Sequence, residues 1–107
     1  LLAIDVASGE ERGRCDLGGQ PDSVAIAPDG SFLAVAIENE RDEEVNDGAP
    51  PQMPEGFLAI LPVADGLPDC AGLVRAELTG LAEVAPEDPE PEFVDINEAG
   101  EIAVTLQ

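Results

Sequence analysis

The sequence predicts an all-β chain, and three observations carry that expectation. The apolar residues are drawn mainly from Val, Ile, Leu and Ala, with three Phe and no Tyr or Trp. Small and β-branched side chains suit strands in closely stacked sheets better than a helical bundle. Turn signals punctuate short apolar runs, helical periodicity is nearly absent, and two segments repeat one plan.

The first copy opens with a strand at Leu2–Val6, turns at Ala7-Ser8-Gly9-Glu10, and continues through Arg12 to Leu17 and Gly18-Gly19-Gln20. Pro21-Asp22 leads into Ser23–Ala27, and Pro28-Asp29-Gly30 turns the chain into Phe32–Glu38. Asp-Gly between two apolar runs is a strong hairpin signal. The second copy starts at Gly56, with strands over Phe57–Val63 and around Leu73–Leu78. Pro91–Ile96, a turn at Asn97–Gly100 and Glu101–Gln107 close it. Pro21, Val24, Ile26 and Gly30 correspond to Pro91, Val94, Ile96 and Gly100, with one extra residue in the first copy near Phe32-Leu33. Only Leu81–Val84 has room for a single helical turn, which Pro86 would end.

Strand-turn-strand units repeated at about 60–70 residues suggest the blades of a β-propeller. The expected architecture is a propeller fragment of about two blade equivalents, each blade a four-stranded antiparallel sheet. Residues 1–17 supply the outer strands of one blade. Residues 23–78 form a complete blade with a long acidic loop at 39–55. Residues 92–107 supply the inner strands of the next. Ala-rich inner strands fit the channel, where blades converge, while larger side chains fill the widening wedge outside. Both ends of the chain read as strand, which predicts that the segment continues beyond them, and its partners are then the remaining blades of the same protein.

At 107 residues the chain supports one small domain, and 44% hydrophobic residues are enough for a core. Its 24 Asp and Glu face four Arg, with no Lys or His, for a net charge of −20. That charge repels nucleic acid and anionic lipid. No apolar run approaches the roughly 20 residues of a membrane span, so no membrane insertion is expected. The absence of His and the scarcity of Cys argue against catalytic zinc or copper. Cys15 and Cys70 are the only cysteines; they either pair across an oxidising compartment or remain separate small apolar residues.

The stretches Gln20–Gly30, Glu38-Asn39-Glu40, Gly56-Phe57-Leu58, Asp88–Val94 and Val104-Thr105-Leu106-Gln107 together resemble the choice-of-anchor I family. Its members are bacterial secreted or surface proteins with a YVTN-like propeller, and some are labelled alkaline phosphatase or phytase-like esterase. The resemblance implies a propeller architecture and a secreted, periplasmic or cell-surface location. It supplies no catalytic motif.

Chemistry, if any, is expected at two long connections, residues 39–55 and 81–92, which in this register emerge on one face of a propeller. Both are acidic. Charge runs in loops are usually solvated, but converging carboxylates suit calcium, a hard cation that takes oxygen ligands. The candidate ligands are Glu40, Asp42, Asp47, Asp88 and Glu90, and calcium is the one cofactor considered. An EF-hand is excluded: starting at Asp42, Asp47 stands where glycine is required and Met53 where the closing Glu belongs. Nucleophilic catalysis lacks a His base and a Gly-x-Ser-x-Gly elbow. The expected function is a non-catalytic scaffold or binding segment of an extracytoplasmic propeller. The alternative is part of a calcium-dependent phosphoesterase with catalytic groups outside this piece. As a polar loop between strands, residues 39–55 are expected to be removable with the strands left intact.

Overall fold

Runs of alternating and continuous apolar residues divide the chain into nine strands, seen in a computed structural model that describes all 107 residues. They are β1 (Leu2–Ile4), β2 (Glu11–Arg14), β3 (Gln20–Ile26), β4 (Phe32–Glu38), β5 (Phe57–Ala64), β6 (Leu67–Pro68), β7 (Val74–Glu77), β8 (Pro91–Ile96) and β9 (Ile102–Leu106). Every pairing is antiparallel. The chain is thus all-β, and each sheet ends in free edges. The segment 81–84 forms bends rather than a helical turn. Short 3-10 turns occur instead at Asn46–Gly48 and Cys70–Gly72.

The centre is a meander in the order β3-β4-β5-β7, with the two-residue β6 added beside β5. The β1–β2 and β8–β9 hairpins are separate two-stranded sheets, and they cover opposite faces of the meander. Leu33, Val35 and Ile37 of β4 join Phe57, Ala59 and Leu61 of β5 in a core with Cys15, Leu17 and Leu1. The intervening Ala34, Ala36 and Leu58 point the other way, into a core with Val94 and Ile96 of β8. A strand buried on both faces needs apolar side chains at successive positions, which is why Leu33–Ile37 is unbroken. In β9, and in β8 from Val94 onward, only alternate residues are covered; at the register irregularity before Val94, Glu92 and Phe93 are both exposed.

Asp29-Gly30 and Asn97–Gly100 turn their hairpins by the same device. Gly30 (φ +72°) and Gly100 (φ +77°) take the left-handed conformation that glycine adopts without steric cost. Ala27 N–H donates to Phe32 C=O in the first, whereas Asn97 N–H donates to Glu101 C=O in the second, so the first turn holds one more residue. Beyond it Val24 pairs with Val35 and Val94 with Val104, so the insertion is absorbed entirely in the turn. Pro21 tolerates its missing N–H because β3 is an edge strand with a register irregularity beside it.

Cys15 and Cys70 form a disulfide with Cα atoms 5.3 Å apart. It joins the end of β2 to the turn before β7, tying the β1–β2 hairpin to the outer edge of the meander. The molecule is an extended slab of 46 × 30 × 22 Å with a radius of gyration of 15.1 Å, against about 13 Å for a compact chain of this length. No helix is long and apolar enough to cross a membrane.

Candidate functional site

The two acidic connections meet at one end of the meander, and a single cation holds them. Gly56, just ahead of β5, brings the two backbones together: its N–H donates to Pro89 C=O at 3.1 Å. A Cβ there would stand 2.5 Å from that oxygen and 2.9 Å from the Ile37 carbonyl oxygen, so only glycine permits the crossing. The segment ahead of β8 is thereby pressed inward, and Asp88, Pro89 and Glu90 are buried despite two of the three being acidic.

Burying carboxylates demands partners. The 39–55 loop supplies them. Arg41 Nε lies 3.4 Å from Asp88 Oδ2, and Arg41 Nη1 lies 2.8 Å from Glu90 Oε2. Arg41 Nη2 also donates to the Asp88 carbonyl at 3.3 Å, and Gln52 N–H donates to Asp88 Oδ2 at 2.8 Å. Gln52 in turn organises the loop: its side chain accepts from Asp42 N–H and donates to the Asp42 carbonyl, while Asn39 Nδ2 donates to its carbonyl. Asp88 Oδ1 is buried with no hydrogen-bond partner.

Arg41 does not offset all of the negative charge around Glu38 and Glu90. Burial pushes the Glu90 carboxyl above the ordinary carboxylate range; Arg41 opposes that shift, and Asp88 and Glu92 add to it. Glu38 is raised as well, first by burial and then by Asp22, Glu90, Glu40 and Glu92. Acidic groups thus crowd the end of the sheet where β3, β4 and β8 meet.

Of the five residues singled out in the sequence, the structure brings Asp88 and Glu90 together around Arg41. Asp42 is linked to them only through Gln52, its own carboxylate accepting from Glu44 N–H. Glu40 accepts from Gln20 Nε2 across the opposite side of the loop. Asp47 is exposed in the 3-10 turn, with φ +56°. No group of three or more His, Cys, Asp or Glu side chains converges as a metal cage, and Arg41 stands where the two buried carboxylates face each other. Two of the five residues, Asp88 and Glu90, thus share one cation, and the other three lie apart from them. Arg41 and Gln52 carry the junction, and sequence reasoning passed over both. The usable signal was Arg41 itself, the only cation among the charges of an otherwise acidic loop.

A second basic residue shapes the outer edge. Arg75 of β7 stacks over the Phe57 ring at 3.9 Å and pairs with Glu55 and Glu77, an arrangement that favours guanidinium. Comparison with known proteins adds nothing to this geometry: no family model, no curated protein and no solved structure matches the chain.

Proposed function

We propose that this chain is a non-catalytic scaffold and binding segment of an extracytoplasmic β-propeller. One observation carries the reading. A complete four-stranded meander lies between two hairpins in chain order, the preceding one resembling its outer half and the following one its inner half. Each hairpin covers one face of the meander, as neighbouring blades do around a propeller axis. The extended shape and the free edges on both hairpins agree with a segment completed by further blades. The disulfide supports an oxidising compartment, in line with the resemblance to secreted choice-of-anchor I proteins. The acidic end built by residues 39–55 and 81–92 is the surface for a cationic partner.

Hydrogen exchange tests this in a longer protein that carries the segment between its neighbours. The outward backbone amides of β1 and β9 are expected to be as slowly exchanging as those of β4 and β5. Rapid exchange at both edges would contradict the propeller reading.

The alternative, a segment of a calcium-dependent phosphoesterase, has one observation in its favour: the unpartnered, buried Asp88 Oδ1. A thermal melt with excess calcium and then chelator decides it. With Arg41 already neutralising Asp88 and Glu90, no calcium-dependent shift is expected; a large upward shift would revive the alternative and call for a phosphatase screen.

A further inference from the structure

We propose that this chain cuts its own backbone once, between Asp88 and Pro89, with Asp88 Oδ1 as the nucleophile and Arg41 holding the carbonyl that it attacks. The cut adds an event to the scaffold reading and does not depend on it, because every group involved lies within the acidic junction.

The bond is chemically distinct from its neighbours. Asp88-Pro89 is the only aspartyl-prolyl bond in the chain. At other aspartates the following backbone nitrogen can attack the side chain and form a succinimide. Proline carries no N–H, so that route is closed at Asp88. What remains is attack by the carboxylate on the carbonyl carbon of its own residue, with the proline nitrogen as leaving group. Nucleophile and target belong to one residue, so the reaction closes a small ring and needs no encounter.

The fold arranges both partners of that attack. Gln52 N–H at 2.8 Å and Arg41 Nε at 3.4 Å approach Asp88 Oδ2. Oδ1 is buried and accepts nothing. A buried polar atom without a partner is rare and costly, and here it leaves one carboxylate oxygen with its lone pairs unspent. Arg41 Nη2 meanwhile donates to the Asp88 carbonyl oxygen at 3.3 Å. One guanidinium thus holds the side chain and the carbonyl of the same residue, and it faces the oxygen on which negative charge develops. An oxyanion-hole donor plays the same part. Pro89 is fully buried, and its own carbonyl accepts from Gly56 N–H at 3.1 Å, so the bond is anchored on both sides.

The atoms and electrons balance. Oδ1 adds to the Asp88 carbonyl carbon, the bond to the Pro89 nitrogen breaks, and that nitrogen takes the electron pair and a proton. The products are a cyclic anhydride within Asp88 and a prolyl amine. Water then opens the anhydride, leaving Asp88 with two free carboxyl groups, and nothing is oxidised or reduced. The proton comes from Glu90, the buried acid next to the proline, and the opening of the anhydride returns one. Burial pushes the Glu90 carboxyl up, so it holds its proton to a higher pH than an ordinary glutamate. The charged groups around it are Arg41 from the 39–55 loop, Glu38 from the end of β4, and Asp88 and Glu92 on its own segment.

The cut does not release the pieces. Val94 and Ile96 stay packed with Ala34, Ala36 and Leu58, and Val94 N–H stays on Ser23 Oγ. The product is a nicked chain with a new carboxylate and a new ammonium inside the acidic junction.

The test is mass spectrometry, after denaturation, of the oxidised 107-residue chain incubated with chelator between about pH 4 and 8. Residues 1–88 and 89–107 are expected as two species whose masses sum to that of the chain plus one water. The folded chain should cut at least about tenfold faster than the same chain in urea at the same pH. A short oxyanion donor is worth about 10²–10³ in rate, and the 3.3 Å contact of Arg41 less. The rate constant should fall as pH rises and stay unchanged on dilution. Arg41→Lys, which keeps the charge and loses the fork, should slow the cut, and Pro89→Ala should remain whole with wild-type circular dichroism. An intact folded chain, an equal rate in urea, cutting of Pro89→Ala at the wild-type rate, or a rate constant that falls on dilution, as with a contaminating protease, would overturn the inference.

Discussion

Replacing Arg41 with alanine tests whether the acidic loop is part of the folded unit. Asp88 has no exposed side-chain surface and Glu90 keeps only 5%, while Arg41 itself is 24% exposed. The substitution leaves two buried carboxylates facing each other with no cation. Removing one partner of a buried pair typically costs about 3–5 kcal/mol. The lower end applies here, because Arg41 is partly solvated and the Gln52 N–H remains on Asp88. A loss of about 3 kcal/mol is a large share of the roughly 5–15 kcal/mol available to a small domain. Urea denaturation followed by circular dichroism would read it as a lower midpoint with an unchanged slope. The deficit should shrink on acidification, as the Glu90 carboxyl, raised by burial, takes up a proton. Arg41→Lys should fall between, since an ammonium keeps the charge and loses the forked geometry. A loss below about 0.5 kcal/mol, in the range of ordinary surface substitutions, would refute the reasoning and restore residues 39–55 as a detachable solvated loop. On the structure, deleting that loop should cost at least as much as Arg41→Ala.

Three further outcomes follow. Reducing the Cys15–Cys70 bond, which closes a sequence separation of 55 residues, should lower stability by about 4 kcal/mol on the chain-entropy estimate; identical urea midpoints with and without reductant would count against it. Glu38 and Glu90, raised above their ordinary value of 4.5, bind protons more readily folded than unfolded. Their contribution is therefore complete below that value and lost as pH rises through the folded values. Asp5, Asp29 and Glu11 are lowered, chiefly by hydrogen bonds from Ser8, Ser31 and Arg14 respectively, and act in the opposite sense below their ordinary values. Melting temperature should accordingly rise from neutral pH to a maximum near about pH 4–5 and then fall, the rise being flattened in a Glu38→Gln/Glu90→Gln variant; a steady decline from pH 7 would contradict this. Gly56→Ala should cost about 1–3 kcal/mol or more, because the new methyl meets backbone carbonyl oxygens rather than a yielding side chain; wild-type stability would show that the crossing is looser than described.

The all-β class, the hairpins at Asp29-Gly30 and Asn97–Gly100, and the repeat linking Val24 with Val94 were legible because short-range chemistry decides them: side-chain alternation, β-branching and the glycines that turns require. Even the extra residue near Phe32 was visible. The acidic junction was only half legible. Asp88 and Glu90 stood out as two acids in a charged stretch, but nothing in their spacing says that Gly56 draws Pro89 against β5 and buries them, or that Arg41 arrives from 47 residues away. The disulfide was open for the same reason, since pairing depends on where β2 and the turn before β7 come to rest. Register was the subtlest case. Leu2-Ala3-Ile4 reads like Leu58-Ala59-Ile60, yet Leu2 pairs with Arg14 where Ala59 pairs with Arg75, which sets Leu1, not Leu2, on Leu58. A shift of one residue exchanges the two faces of a strand, so local similarity cannot settle which side chains are covered. Which segments become strands, and where they turn, could be read along the chain because neighbouring residues make those choices. Which charges pair, which cysteines meet and which apolar faces stay open came only with the fold, because each depends on segments far apart in the chain.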